Sequence, residues 1–246
     1  MKQGLLSTTP AMLPIRDKNP SQTFPYVTYS LVAVNVVVFL FELTLQYSGQ
    51  LDAFLTNWSM IPEKVMAGKA TITILTSMFL HGGIMHIFGN MLYLAIFGNN
   101  VEDVFGHAKF HVFYLFCGVS ATILYILLGA DPSVPTLGAS GAIAGVLGAY
   151  LVLFPRAKVD TLVFAYFITW VTIPAAVLLG FWFVLQLFSG VLSIGTYASS
   201  DVAYFAHIGG FAAGALIALP LRSRVTPRRE RSPVLDFQRR DDYYWR

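Results

Sequence analysis

Four polar side chains interrupt long apolar stretches of this chain, and their types suit the hydrolysis of an acyl group. Ser140 carries a hydroxyl and His207 an imidazole, and a histidine can activate a serine by accepting its proton. His86 and Asn90 are four residues apart, so they share one face of a helix and could both donate hydrogen bonds to an oxyanion. A helix that begins at Ser140 would add free backbone N–H groups. The pattern favours a catalytic Ser140–His207 dyad with an oxyanion site formed by His86, Asn90 and Ser140.

The composition indicates that these residues lie inside a membrane protein. Of the 246 residues, 56% are hydrophobic and 12% are charged, and the mean hydropathy is +0.63. About a quarter of the residues in an average soluble domain are charged. This chain therefore cannot cover itself with a polar surface and needs lipid as its solvent. The composition excludes an ordinary soluble α/β enzyme.

Apolar runs predict an all-α fold, a polytopic bundle of six transmembrane helices. A span across a hydrocarbon core of about 30 Å needs roughly 20 helical residues. The predicted spans cover residues 26–45, 83–99, 110–129, 138–154, 173–189 and 202–221. The first third of the uncharged stretch 161–195 is expected to be interfacial or partly buried. The predicted organisation is an N-terminal cytoplasmic segment (1–25), a membrane domain (26–221) and a basic cytoplasmic tail (222–246).

The basic residues predict the orientation of the chain and exclude a nucleic-acid partner. Eight of the ten arginines follow residue 221, and no basic stripe alternates with aromatic residues on a folded domain. With a cytoplasmic N-terminus, the inner segments hold fourteen lysines and arginines, whereas the outer loops hold only Lys64 and Lys69. Lysine and arginine accumulate in cytoplasmic loops. Both termini are therefore expected inside, which requires an even number of spans.

The predicted spans bring the four polar residues to one depth. The second, fourth and sixth spans all enter from the outside, and each carries its polar groups near that end. At a rise of 1.5 Å per residue, all four residues lie within roughly 12 Å of the outer edge. Two stripes of small residues lie beside them at a spacing of four: Gly141, Gly145 and Ala149 after the serine, and Ala206, Gly210 and Gly214 around the histidine. Such stripes let helices pack closely in lipid, so the fourth and sixth spans are expected to touch.

Taken singly, each of these residues has a purely structural explanation. Ser140 could serve helix packing, and Asn90 could form an interhelical hydrogen bond. His86 could bind a backbone carbonyl, and His207 could make a structural polar contact. Third members of a triad could be Asp201 or Asp131, although loop solvation explains both, and Glu42 has no evident partner. His81 is expected to shape the loop before the second span, and His107 and His111 belong to the opposite side. The sequence predicts no metal site and no cofactor.

Three motifs together resemble the rhomboid family of intramembrane serine proteases. They are His81-Gly-Gly-Ile-Met-His86-Ile-Phe-Gly-Asn90, Gly138-Ala-Ser140-Gly141, and Ala206-His207-Ile-Gly-Gly210-Phe-Ala-Ala-Gly214. The resemblance implies a Ser140–His207 dyad, and it implies an oxyanion site made by the backbone N–H of Ser140 and the side chains of His86 and Asn90. It covers roughly residues 26–221. Some members carry a tyrosine that stacks on the catalytic histidine, but this chain has Ala144 there.

The resemblance also implies a substrate class and a route of access. Family substrates are single-pass membrane proteins cut near the outer face, in segments that unwind locally. The fifth span, with Trp170, Phe181 and Trp182 nearby, would act as a lateral gate, and the loop between the first two spans would lie partly in the outer leaflet. The expected partners are such substrates and the lipid bilayer. The expected location is a prokaryotic inner membrane.

Two other functions fit the same membrane fold. One is a catalytically inactive relative that binds membrane proteins, although such relatives lose the serine or the histidine and this chain keeps both. The other is a small transporter with His86, Asn90 and His207 along a polar path. The predicted polar groups stop in the outer half of the bilayer, which argues against a continuous path.

Overall fold

The protein is a bundle of apolar helices with a small β-sheet at one end. The computed structural model describes residues 11–128, 131–164, 167–193 and 203–225. Its strands are β1 (Ala11–Asp17), β2 (Lys158–Phe164) and β3 (Ile168–Pro174). Its helices are α1 (Tyr26–Tyr47), α2 (Leu51–Trp58), α3 (Pro62–Met66), α4 (Thr73–Thr76), α5 (Ile84–Phe105), α6 (His107–Leu128), α7 (Ser140–Leu153), α8 (Ala175–Ser193) and α9 (Tyr204–Ala218), with short 3₁₀ turns at Ser77–Phe79 and Leu219–Arg224.

The helices confirm the prediction of a mostly helical integral membrane protein. Within the described residues, α1, α6, α8 and α9 with its 3₁₀ extension are long and apolar enough to cross a bilayer. A fifth crossing arises if α5 is combined with the segment Thr73–Phe79, which meets it at an angle of 93°. Helix α7 has only 14 residues, about 21 Å at the usual rise. Eleven of them are buried, so α7 lies in the centre of the bundle, largely screened from lipid by its neighbours.

Helix α7 is enclosed by α6 on one side and α9 on another, and glycines make both contacts possible. A Cβ on Gly210 would collide with the carbonyl oxygen of Gly141, and one on Gly214 with that of Gly145. A Cβ on Gly141 would lie 2.6 Å from the Cβ of Ala121 on α6. The α7 and α9 backbones therefore lie against each other along the two small-residue stripes, and α7 uses the same glycines to approach α6.

Helix α5 extends to Phe105, six residues past the predicted end of the second span at residue 99. Glu102 and Asp103 lie in its last turn, and Glu102 is fully buried. The Glu102 carboxylate accepts hydrogen bonds from the backbone N–H groups of Val27 (2.9 Å) and Thr28 (2.8 Å) and from the Thr28 hydroxyl (2.7 Å). The ring Nδ1 of His107 lies 2.6 Å from the same carboxylate. These contacts compensate the burial of the carboxylate and join the start of α1 to the junction of α5 and α6.

The three-stranded antiparallel sheet corrects the expectation of an all-α fold. Its order is β1-β2-β3, so the N-terminal strand pairs with a hairpin that follows α7. Residues 161–164 and 168–172 of the expected interfacial segment lie on the strands β2 and β3. Strand β1 lies in the segment that was expected to be separate from the membrane domain. An open sheet edge cannot lie in hydrocarbon. We therefore locate the sheet in water, at the end of the bundle where α1 begins and where α5 and α7 end. In the predicted orientation this is the cytoplasmic end.

Side chains attach the sheet to the helices. Asp17 of β1 accepts hydrogen bonds from the Tyr150 hydroxyl of α7 (2.6 Å) and from the Asn100 amide of α5 (2.8 Å). Within the sheet, Asp160 of β2 pairs with Arg16 and Lys18, each at 3.1 Å. The N-terminal strand is thus held both by backbone pairing and by charged contacts.

Candidate active site

The two residues proposed as a dyad lie within hydrogen-bonding distance. Ser140 is the first residue of α7, and His207 is the fourth residue of α9. The Ser140 Oγ lies 2.9 Å from the His207 Nε2. Both side chains are half-buried. A hydroxyl at this distance can donate its proton to a ring nitrogen that carries a lone pair, which is the arrangement that nucleophilic catalysis requires.

The segment before α7 directs Ser140 toward the site. Thr136 pairs with Met60 through two backbone hydrogen bonds (2.8 and 3.0 Å), and the Gly138 N–H donates to the Ser77 carbonyl at 2.8 Å. Gly138 has a φ of +128°, a conformation that favours glycine. The chain thereby turns from an extended segment directly into α7. The first N–H groups of α7 have no partner within their own helix, so they are available to an acceptor near Ser140.

His86 borders the same space as Ser140. A Cβ built on Gly138 would lie 2.9 Å from the His86 Nε2 and 3.6 Å from the Ser140 Oγ. The Nδ1 of His86 lies 3.4 Å from the Gly82 N–H, which can donate to it, and the ring contacts that of His81 edge to face, with centroids 5.2 Å apart. Since Nδ1 then acts as an acceptor, the proton of the neutral ring lies on Nε2. That N–H points to the side of the ring that borders Ser140 and Gly138.

Asn90 follows His86 by one turn and is 8% exposed. Its amide Nδ2 is buried and has no hydrogen-bond partner among the described residues. An unsatisfied buried donor costs about 1–3 kcal/mol, so its retention calls for an explanation such as a bound ligand. The predicted oxyanion site would use this donor.

His207 makes a further contact, on its other ring nitrogen, that was not predicted from the sequence. The His207 Nδ1 lies 2.8 Å from the side-chain oxygen Oε1 of Gln186 on α8. Trp182, one turn earlier on α8, places its ring centroid 5.7 Å from that of His207. These two side chains support the imidazole in a chain that has Ala144 in place of a stacking tyrosine. The sequence feature that could have indicated this contact is Gln186 itself, the only side-chain amide in the uncharged stretch 161–195.

The remaining candidates have other roles or lie elsewhere. Asp131 is exposed, and hydrogen bonds from the Ser133 N–H and hydroxyl hold the pKa of its carboxyl below the ordinary value. Asp201 lies outside the described residues. Glu42, which had no evident partner in the sequence, is buried and accepts the backbone N–H of His81 at 3.2 Å. Trp170, expected near the fifth span, lies on β3 rather than on α8.

The described residues offer no evident metal site. They contain no group of three or more His, Cys, Asp or Glu side chains placed to hold a metal ion. Cys117 is buried against the glycine face of α7. Ser140 and His207 themselves bring a hydroxyl and an imidazole to the site.

Comparisons with known proteins point to one family. A Rhomboid domain model matches residues 69–224. The chain is 34% identical over 184 residues to RHOMBOID-like protein 4 of Arabidopsis thaliana, covering 74% of this chain and 40% of that protein. It is 30% identical over 210 residues to the mitochondrial Rhomboid protein 1 of Saccharomyces cerevisiae, covering 83% and 56%. Rhomboid protease GluP of Bacillus subtilis is 32% identical over 127 residues, covering 52% and 24%.

The chain spans about half or less of the length of these relatives. Their names and organisms include plant and mitochondrial proteins, so they do not support a specifically prokaryotic location, and that location stays a prediction. The match to the domain model extends from the loop before α4 to the end of the last 3₁₀ turn and covers more than half of the chain. The chain therefore belongs to the rhomboid family.

Proposed function

We propose that this protein is an intramembrane serine endopeptidase that cleaves transmembrane segments near the outer face of the membrane. The observation that carries the proposal is the 2.9 Å separation of the Ser140 Oγ and the His207 Nε2. Ser140 attacks the scissile carbonyl while His207 takes the hydroxyl proton. His207 then gives that proton to the departing amine. A water molecule hydrolyses the resulting ester of Ser140 and returns the enzyme to its first state.

The negative charge on the attacked oxygen needs hydrogen-bond donors, and three groups are candidates. The N–H groups at the head of α7 lie beside Ser140, His86 borders the same space, and the Asn90 amide has a free donor. Pre-arranged donors of this kind stabilise a tetrahedral intermediate more than they stabilise the planar carbonyl. Asn90→Ala is therefore expected to lower turnover about a hundredfold to a thousandfold.

The proposed topology has six crossings with both termini in the cytoplasm. The charge distribution of fourteen inner against two outer lysines and arginines supports it. So do the contacts of the helix ends: the start of α1 meets the α5–α6 junction at Glu102, and the sheet joins the α7–α8 junction, where the Ala175 N–H donates to the Ala157 carbonyl. The short α7 counts as a crossing because it runs through the centre of the bundle. Ser140 and His207 then lie near the outer face.

Substrates in this proposal are single-pass membrane proteins that reach the dyad beside α8. A helical segment holds its carbonyls in hydrogen bonds to N–H groups four residues later, so it must unwind before Ser140 can attack. Helix α8 is the best candidate for the element that moves aside. Only four of its 19 residues are buried, which leaves it less firmly held than α7.

The test is labelling of the purified protein in detergent by a fluorescent fluorophosphonate, followed by cleavage of a transmembrane reporter. Ser140→Ala and His207→Ala should abolish both activities. Ser133→Ala, which removes an exposed hydroxyl bound to Asp131, is the matched control and should leave both unchanged. Labelling or cleavage that persists in Ser140→Ala at the wild-type rate would show that the nucleophile is wrong. An inactive binding protein or a transporter would fail to cleave in the wild-type form.

A further inference from the structure

A line of side chains along the contact between α8 and α9 includes contacts with the candidate base, His207. On α8 the line consists of Trp182, Gln186 and Gly190, which are four residues apart. Trp182 and Gln186 both contact His207, and a Cβ on Gly190 would lie 3.4 Å from the Cβ of Tyr204 at the start of α9. Phe183 beside this line stacks on Phe211 with centroids 4.2 Å apart. The position of His207 is therefore tied to the seating of α8.

The other face of α8 does not hold the helix in place. Its large apolar side chains are exposed and face away from the bundle: Val177, Phe181, Val184, Leu187, Phe188 and Val191. These residues would contact lipid, which gains little from any one position of the helix. A movement of α8 away from α9 would therefore break the contacts of Trp182 and Gln186 with His207.

We propose that Gln186 is a positioning residue that fixes the tautomer and orientation of His207, so that the dyad is aligned only while α8 is seated against α9. The proposal rests on the proposed function and adds to it a third member, supplied by the helix that flanks the route of the substrate. The open position of α8 and the aligned position of His207 then cannot occur at the same time. The substrate gains access when α8 moves out, and reaction follows when Gln186 returns to His207.

The chemistry of the imidazole explains why an amide oxygen is suited to this position. A neutral imidazole carries its proton on one nitrogen only. When Nδ1–H donates to the Gln186 oxygen, Nε2 is left with the lone pair that must accept the Ser140 proton. In the opposite tautomer, Nε2–H would face Ser140 and could not act as a base. During attack His207 gains a positive charge, and the Gln186 oxygen remains a hydrogen-bond acceptor for Nδ1–H without carrying a charge of its own.

Because Gln186 is neutral, its replacement by a charged residue should change the pH dependence of labelling. A carboxylate at the same position would favour the charged imidazolium. Gln186→Glu should therefore move the acid limb of the labelling rate to higher pH while preserving an acceptor for Nδ1–H. Gln186→Leu, which keeps a side chain of similar bulk without an acceptor, should lower the maximal labelling rate about tenfold to a hundredfold, as misalignment of a reacting group does. If Gln186 only filled space, Gln186→Glu would not shift the acid limb, and Gln186→Leu would not lower the labelling rate at saturating probe.

The experiment measures fluorophosphonate labelling of the full-length protein against pH and probe concentration, with thermal stability measured for each variant. Val184→Ala, on the exposed face of α8, is the matched control and should label as the wild type does. The proposal is overturned if Gln186→Leu labels at the wild-type rate, or if Gln186→Glu keeps the wild-type acid limb. The glutamate variant serves as the test if the leucine variant is unstable. Persistent labelling of Ser140→Ala would instead overturn the proposed function, so the two failures are distinguishable.

Discussion

Gly214 of α9 faces the carbonyl oxygen of Gly145 on α7 so closely that a single methyl group would collide with it. The colliding atom belongs to the backbone of a buried helix and cannot move aside as a side chain can. Gly214→Ala should therefore lower the free energy of unfolding by about 1–3 kcal/mol, the usual cost of overpacking. The measurement is thermal unfolding in detergent micelles.

Gly180→Ala is the control for this substitution. Gly180 lies in α8, and a Cβ there would have no atom within 4 Å. Alanine is the better helix former, so this variant should unfold at the wild-type temperature or slightly above it. Equal melting temperatures for the two variants would mean that α7 and α9 are not in backbone contact.

Gly138 couples the backbone before Ser140 to His86. Its φ is +128°, and a Cβ would lie 2.9 Å from two atoms of the His86 ring. Gly138→Ala should therefore displace His86 or Ser140 and reduce fluorophosphonate labelling about a hundredfold. The strain should lower the free energy of unfolding by only about 1–3 kcal/mol, so most of the protein should remain folded.

Gly68→Ala is the control that separates the effect of backbone strain from the effect of displacing His86 or Ser140. Gly68 also has a positive φ, +69°, but nothing lies within 4 Å of a Cβ there. It should show a similar loss of stability and near wild-type labelling. If both variants label equally, the contact between Gly138 and His86 has no part in the site.

Asp160 gives the sheet a dependence on pH. Burial opposes the ionisation of this carboxyl, but hydrogen bonds from Thr172, Lys18 and Arg16 outweigh it and hold its pKa below the ordinary value of 3.8. A carboxyl whose folded pKa is lowered stabilises the fold above its ordinary pKa, and this contribution disappears as the pH falls below that value. Wild type and Asp160→Asn should therefore differ in melting temperature at pH 7, and the difference should shrink as the pH falls below about 3.8 toward the lowered pKa of the folded protein.

The control for this pH dependence is Asp52→Asn, which makes the same change of charge at an exposed position on α2. Its melting temperature should follow the wild-type curve throughout. A constant difference between Asp160→Asn and wild type down to pH 2.5 would contradict the assignment of the stabilising contacts to the ionised carboxylate.

The dyad could be predicted from the sequence because polar residues inside apolar spans are rare and can be recognised from residue type and spacing alone. A serine, two histidines and an asparagine near the outer ends of apolar spans stand out, since polar groups are costly there. The glycine stripes indicated which two helices could approach closely enough to join Ser140 and His207. Both signals depend on residue type and spacing, so no knowledge of the tertiary structure was needed.

Other features depended on tertiary packing and could not be read in this way. The contact of Gln186 with His207 depends on the rotation of α8 about its axis, which is set by Gly190 and Phe183 against α9. The sheet was missed because β1 pairs with a strand more than 140 residues later, at Asp17 and Val159 for example. From residue 161 onward the hairpin carries no charged residue, so hydropathy predicted an interfacial segment there and did not reveal that it forms strands.

The outer end of α8 offers a direct test of its movement. A Cβ on Gly190 would lie 3.4 Å from that of Tyr204, close to the spacing that a disulfide requires. The variant Gly190→Cys/Tyr204→Cys should therefore form a disulfide on oxidation that holds α8 against α9. The oxidised protein should cleave a transmembrane reporter at least tenfold more slowly than the reduced one. It should still react with the small fluorophosphonate, because Gln186 stays at His207.

Each single cysteine variant and the oxidised wild type, whose one cysteine is buried, serve as controls and should cleave equally before and after oxidation. Loss of both cleavage and labelling in the locked protein would mean that the crosslink distorts the dyad itself. Unchanged cleavage would mean that the substrate does not pass beside the outer end of α8. Selective loss of cleavage, reversed by a reducing agent, is expected, because a helical substrate needs space that a small probe does not.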